Sequence, residues 1–177
     1  MTKTPTVYMP FITEDDIDEI ISDFAAHNWN KPRSTFESYL SDQQKDERRV
    51  WLAWRGDDLA GYVTLSLNSK YEPFREASIP EIMDLNVLPP FRNNGIGSSL
   101  LDLAEKEAFQ AGDKVGLGVG LYDGYGAAHK LYISRGYMPD GLGITYDYKR
   151  VAYGERVALD DDLVLWMVKG KPIGDVS

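Results

Sequence analysis

Arg92, Gly95 and Gly97 stand in R-x-x-G-x-G order immediately ahead of an apolar helical pattern. The first backbone N–H groups of a helix have no intrahelical acceptor and carry a partial positive charge. Glycines just upstream leave the backbone open to a close-lying anion, and an arginine adds a forked cationic donor. Such a set can cradle a pyrophosphate. The two glycines alone would serve a tight strand-to-helix turn equally well. A dinucleotide fingerprint would need a third glycine where Leu100 stands, and a P-loop would need a lysine within Gly97-Ser98-Ser99. Two carboxylates, Glu81 and Asp84, lie a few residues upstream, and a tyrosine-rich stretch around Tyr132 lies downstream. There is no cysteine, which excludes thiolate nucleophiles, zinc–thiolate sites and disulfides. The two histidines, His27 and His129, are too few for a metal cluster, so no metal is expected.

Regular elements must present these groups. Residues 79–87 alternate, with Ile79, Glu81, Met83, Leu85 and Val87 on one side and Ile82, Asp84 and Asn86 on the other. Pro89 and Pro90 end that strand. The helix after it carries the stripe Leu100, Leu101, Ala104, Ala108 and Ala111, with Gly112 as its stop. Residues 114–121 alternate Val115, Leu117, Val119 and Leu121 with Gly116, Gly118 and Gly120, so one strand face is bare backbone. A ligand, a close-packed helix or another backbone would account for that bare face. A second helix runs from Gly124 to Arg135 and stops at Gly136.

Upstream, a tail over residues 1–6 leads into a strand near Val7. Thr13 opens a capping box before the stripe Ile17, Ile20, Ile21, Phe24 and Ala25, and Ser34 to Glu37 reads as a second box before Tyr39 and Leu40. Residues 48–55 and 59–67 form a hairpin around Gly56-Asp57-Asp58, and residues 68–78 read as an exposed polar loop that could serve as a lid. A turn is expected over residues 140–143, strands over 144–148 and 163–168, and a solvated acidic turn at Asp160-Asp161-Asp162.

R92-x-x-G95-x-G97 after a strand and a proline resembles the acetyl-CoA-binding motif of the GNAT superfamily of N-acetyltransferases. Ala128, Leu131, Tyr132, Gly136 and Tyr137 fall in that superfamily's A-x-x-L-Y-x-x-x-G-F/Y pattern. The resemblance implies one α/β (α+β) domain over residues 1–177. Its mixed, mostly antiparallel sheet would have about six or seven strands, about four flanking helices, and two central parallel strands that splay apart. It implies acetyl-CoA as co-substrate. Asn86 and Val87 would meet the pantetheine arm. Arg92, Asn93, Asn94, Gly95, Ile96, Gly97 and Ser98 would meet the pyrophosphate, with Ala128 and Tyr132 also at the cofactor. Tyr132 would be the general acid, its ring turned toward the thioester while Leu131 packs inward with Ala127 and Ala128. Glu81, eleven residues before Arg92, sits at the offset of a general base in histone-type members. Asp84 is the rival base, and other members use water chains. The early helices shape the acceptor pocket, so Trp29 and Phe36 either touch substrate or pack in the core. The family often has asparagine where Tyr125 stands, so that contact does not transfer, and Tyr125 could meet cofactor or acceptor instead.

Acetyl transfer needs a neutral amine, a polarised thioester carbonyl and a proton for the leaving thiolate, and it needs no protein nucleophile. The alternative on the same fold is a noncatalytic acyl-CoA sensor. The net charge of −9 opposes nucleic-acid binding and favours a cationic acceptor, the identity of which the residues leave open. No apolar run reaches 18 residues, so a cytoplasmic enzyme without membrane contact is expected. A homodimer through C-terminal aromatics fits the family's habits.

Overall fold

The computed structural model describes residues 7–172, and the tail expected over residues 1–6 lies outside them. Contacts group the chain into two compact units. One comprises Met1–Ser66 and Met83–Lys106, the other Leu67–Ile82 and Glu107–Ser177.

In the first unit, β1 (Val7–Tyr8) pairs antiparallel with β2 (Arg48–Arg55), which pairs antiparallel with β3 (Asp58–Ser66). Gly56 supplies the positive φ, 65°, that a two-residue hairpin needs at its first central position. Helices α1 (Ile17–Ala26) and α2 (Arg33–Gln44) cover this layer. Ile17, Ile20 and Phe24 from α1 and Phe36 from α2 join Val50, Leu52, Leu59, Tyr62 and Leu88 in one apolar core. The box at Thr13 forms, since both its N–H and its hydroxyl donate to Asp16, each at 2.7 Å. The box expected at Ser34 does not form. The helix starts two residues earlier than that box requires, at Arg33, because Pro32 with its fixed φ of −63° holds the N-cap.

The strand β4 (Glu81–Val87) contributes its first two residues to the second unit and the remainder to the first. The second unit also holds α3 (Glu72–Glu76), β5 (Lys114–Gly120), α5 (Gly126–Ser134), β6 (Met138–Tyr146), β7 (Lys149–Arg150) and β8 (Leu163–Gly170). Helix α4 (Ile96–Ala111) follows β4 in the chain. The strand order is β1-β2-β3-β4-β5-β8-β6-β7. β4 and β5 run parallel through Glu81↔Gly116 and Ile82↔Leu117, whereas β5–β8, β6–β8 and β6–β7 are antiparallel. The result is the expected mixed, mostly antiparallel α/β fold, with eight strands and five α-helices among the described residues.

The extra pieces explain themselves. Residues 68–78 are not a lid, because Tyr71 and Phe74 pull the segment inward and α3 forms around them. Their destination is the bare face of β5. A Cβ on Gly116 would fall 2.2 Å from the Phe74 ring, one on Gly118 2.7 Å from Val164, and one on Gly120 2.3 Å from the Tyr125 ring. The glycine row is therefore filled by side chains, mainly aromatic, rather than by a helix or a ligand. The turn expected at residues 140–143 is instead an irregularity inside β6, where Gly141 and Gly143 take positive φ and the register against β8 shifts. Ala111, placed on the buried stripe of α4, is exposed, while Leu100, Leu101, Ala104 and Ala108 are fully buried.

Candidate active site

In the first unit, the turn between β4 and α4 takes its shape from two left-handed residues, Asn93 at φ 59° and Gly95 at φ 78°. Gly95 is glycine for its backbone angle. Gly97 has no such reason: its φ is ordinary, and an added Cβ would meet only Val87 Cγ2 at 3.6 Å, an ordinary contact. The Asn94 side-chain amide donates to the Arg92 carbonyl at 2.9 Å, and Arg92 Nε donates to the Val87 carbonyl at 2.9 Å. The exposed Arg92 is thereby tied to the end of β4, beside Asn86 and Val87. Ile96 is buried and anchors the start of the helix, while Gly97 and Ser98 are partly accessible. The residues expected around the pyrophosphate thus come together around the first free N–H groups of α4.

The alternation expected along β4 breaks at Asp84, which has φ 51° and is exposed, while Ile82 and Asn86 are buried. Asn86 Nδ2 donates to the Asp84 carbonyl at 2.9 Å and closes this bulge. A Cβ on Gly61 would lie 2.2 Å from the Asn86 carbonyl oxygen, so β4 approaches β3 over bare backbone. The Asp84 carboxylate accepts a hydrogen bond from the Tyr39 hydroxyl, and the Arg48 guanidinium lies 4.8 Å from the Tyr39 ring centre. Burial first, and then Asp84, push the Tyr39 phenol well above its ordinary range, so it remains a donor. Phe36 is fully buried in the core and Trp29 packs against that core half-buried.

In the second unit, Glu81 is only 3% exposed. The Ser69 hydroxyl donates to it at 2.5 Å and accepts from the Tyr71 N–H at 3.0 Å, which fastens the chain entering α3. On α5, Tyr132 is buried and meets Tyr137 edge-on at 5.8 Å. Leu131 is only half-buried and Ala127 is exposed, so the helix is rotated from the expected setting and the tyrosine, not the leucine, faces inward. The fully buried Tyr137 ring provides the inward contact that turns it. Ala128 is half-buried. Tyr125 covers Gly120 with its ring, and its hydroxyl donates to Asp161 at 3.0 Å; Tyr122 donates to the same oxygen at 2.8 Å. Tyr146 donates to Asp160 at 2.9 Å, so the acidic turn is a clamp for three tyrosines rather than a solvated loop. Among the described residues no group of three or more His, Asp or Glu could hold a metal ion.

One group near the first-unit site has no counterpart in the sequence reading. Lys31 lies 4.5 Å from the Trp29 ring centre, 5.5 Å from Phe24 and 5.6 Å from Tyr62. The i, i+2 spacing of Trp29 and Lys31 was visible, but the other two rings come from α1 and β3.

A model of the acetyltransferase (GNAT) family matches residues 15–137. The aminoalkylphosphonate N-acetyltransferase of Salmonella typhimurium is 37% identical over 116 residues, 64% of this chain and 70% of that protein. Two solved structures share the fold. A ribosomal-protein-alanine N-acetyltransferase from Brucella melitensis superposes with TM-score 0.65 at 23% identity, over 92% of this chain and 99% of the other. Arabidopsis thaliana Naa50, solved with a CoA-containing bisubstrate analogue, gives TM-score 0.64 at 18% identity, over 93% and 98%.

Proposed function

The chain belongs to the GNAT acetyltransferase family, and from that premise we infer that it transfers an acetyl group from acetyl-CoA directly to a primary amine of a small molecule or peptide. The observation that carries the cofactor assignment is Gly97. Neither backbone angle nor packing requires glycine there, which leaves the approach of a ligand to the start of α4 as its reason. Arg92, Asn93, Asn94, Gly95, Ile96, Gly97 and Ser98 are assigned to the pyrophosphate, and Asn86 and Val87 to the pantetheine amides. Ala128 and Tyr132 are assigned to the thioester end, and residues 1–177 to one catalytic domain, because the family match runs through parts of both units.

Acetyl-CoA supplies the activated acyl carbon, and the chain manages protons. Tyr132 is assigned to the departing sulfur, as its motif position implies. For the base, the offset from Arg92 points to Glu81, while access points to Asp84. Glu81 is buried and already accepts from Ser69, whereas Asp84 is exposed on a bulge with a tyrosine donor at its back. We favour Asp84 as the group that receives the amine proton. The enzyme is placed in the cytoplasm, where coenzyme-A thioesters are consumed, and a homodimer through exposed Tyr148 and Tyr153 is retained as part of the reading.

The deciding experiment pairs thermal melts with thiol release. Acetyl-CoA should raise the melting temperature where ATP and NAD do not, and an amine panel should liberate free CoA. A melting temperature unmoved by millimolar acetyl-CoA would end the cofactor assignment. Binding without thiol release from any amine would favour the sensor alternative.

A further inference from the structure

Lys31 is a cation held where a soluble protein has little use for one. It lies in the connection between α1 and α2, half-buried over three aromatic faces, all within cation–π range. The rings are fixed by one another: Phe24 meets Trp29 at 5.3 Å and Tyr62 at 5.5 Å, both edge-on, and Phe24 and Tyr62 are buried. Asp84 is the carboxylate on this side of the core: it accepts from Tyr39, whose ring packs against the same cluster as Phe24 and Tyr62. Burial pushes the Lys31 ammonium pKa down, and the Asp84 carboxylate works against that shift. A lysine that merely shielded the core would gain from laying its methylenes on the rings and keeping its charge in water. Here the charge itself is on the rings.

Aromatic walls plus one carboxylate is the chemistry that recognises an alkylammonium. The carboxylate stands on the bulge of β4, two residues before Asn86. Resting on the acetyl-transfer reading above, we propose that Phe24, Trp29, Tyr62 and Asp84 form the seat of a primary alkylammonium acceptor, and that Lys31 is the built-in competitor a substrate must displace. Two ammonium groups cannot share the cage, because their charges repel at that distance. The four-carbon stem of Lys31 can swing its head group into solvent, so displacement needs no backbone change. The apparent affinity for an amine is then reduced by the fraction of time the lysine is at home. In transfer, the seated ammonium gives one proton to Asp84, the freed nitrogen lone pair bonds to the acyl carbon, the carbon–sulfur bond breaks with its electron pair on sulfur, and the second nitrogen proton ends on that thiolate, leaving the amide and free CoA.

The test is an equilibrium titration of the full chain with n-butylamine hydrochloride, read by calorimetry, with 1-butanol as the uncharged control. Lys31→Ala empties the cage and should tighten n-butylammonium binding roughly 3- to 30-fold, the range of one partly to fully desolvated cation–π contact. Lys31→Arg refills the cage and should bind like wild type, and 1-butanol should be indifferent to both changes. Asp84→Asn should weaken the amine by a similar factor. Binding that is unchanged or weaker in Lys31→Ala overturns the proposal, the weaker result making Lys31 a substrate ligand instead. Should Lys31→Ala fail to fold by circular dichroism, Lys31→Gln carries the same expectation. Acetyl-CoA melts on the same variants separate the two readings. A normal acetyl-CoA shift with no gain for the amine refutes only the seat. Tighter amine binding without any acetyl-CoA shift supports the seat and refutes the transferase reading.

Discussion

Glu81 and Asp84 are carboxylates three residues apart on one strand, and they live in opposite surroundings. Glu81 is in the ladder with β5, buried, and held by a serine that also fixes the chain before α3. Asp84 is beyond the ladder, exposed, and thrown out of step by a left-handed backbone angle. The same division runs through the glycines. Gly116, in the second unit, is glycine because a ring fills its Cβ position, whereas Gly97, in the first, has open room. The surroundings of Glu81 are packed for stability, and those of Asp84 and of the start of α4 are left accessible for chemistry. A charged residue on the central strand is therefore not a candidate base until its surroundings are known.

The comparison is most exposed to the two carboxylates themselves. Asp84→Asn should lower kcat/KM by about 10²–10⁴-fold and leave the melting temperature nearly unchanged. If Glu81→Gln shows that kinetic loss and Asp84→Asn does not, the assignment reverses and burial is the wrong criterion. Tyr132 is the exception that could break the division, being a buried second-unit residue with a proposed chemical role. Tyr132→Phe should reduce kcat about 10- to 1000-fold with little change in acetyl-CoA affinity or melting temperature. Losses of stability and affinity in equal measure would make it a packing residue and sharpen the division further.

The glycines give smaller and opposite signatures. Gly116→Ala must push the Phe74 ring aside and should cost about 1–3 kcal/mol of stability, measured by chemical denaturation. Gly97→Ala should leave stability unchanged or raise it by up to about 1 kcal/mol, the Gly–Ala propensity difference in a helix, yet diminish the acetyl-CoA-induced rise in melting temperature. Smallest in kinetics, Glu81→Gln should leave kcat within a few-fold but remove about 1–3 kcal/mol by disturbing the buried hydrogen bond from Ser69.

What could be read from the residues was what is local. The Arg92–Gly97 turn, the α4 stripe from Leu100 to Ala108 and the stop at Gly136 follow from neighbours in the chain, and the fold class came with the family resemblance that the two motifs carry. The residues that failed were those whose neighbours are distant. The bare face of β5 announced that something must lie against it, but Phe74 arrives from a segment that reads as a polar loop, because only Ser69, Tyr71 and Phe74 turn inward and one of these is polar. The bulge at Asp84 is equally silent, since period-two alternation cannot register a single left-handed residue. Tyr132 was rotated from its expected setting by Tyr137, five positions on, and the Lys31 cage needed rings from three separate stretches.

The left-handed angle at Asp84 has an evolutionary corollary. Asparagine tolerates that angle as readily as aspartate, whereas β-branched residues do not. The substitution that would silence the proposed base is thus among the easiest for the fold to accept. One base change in a codon (GAT to AAT, or GAC to AAC) would leave a folded protein able to hold a thioester, and an amine more weakly, without joining them. Catalytic descendants and silent, ligand-sensing ones would then be adjacent in sequence space, separated by a step that selection for foldability alone would not see.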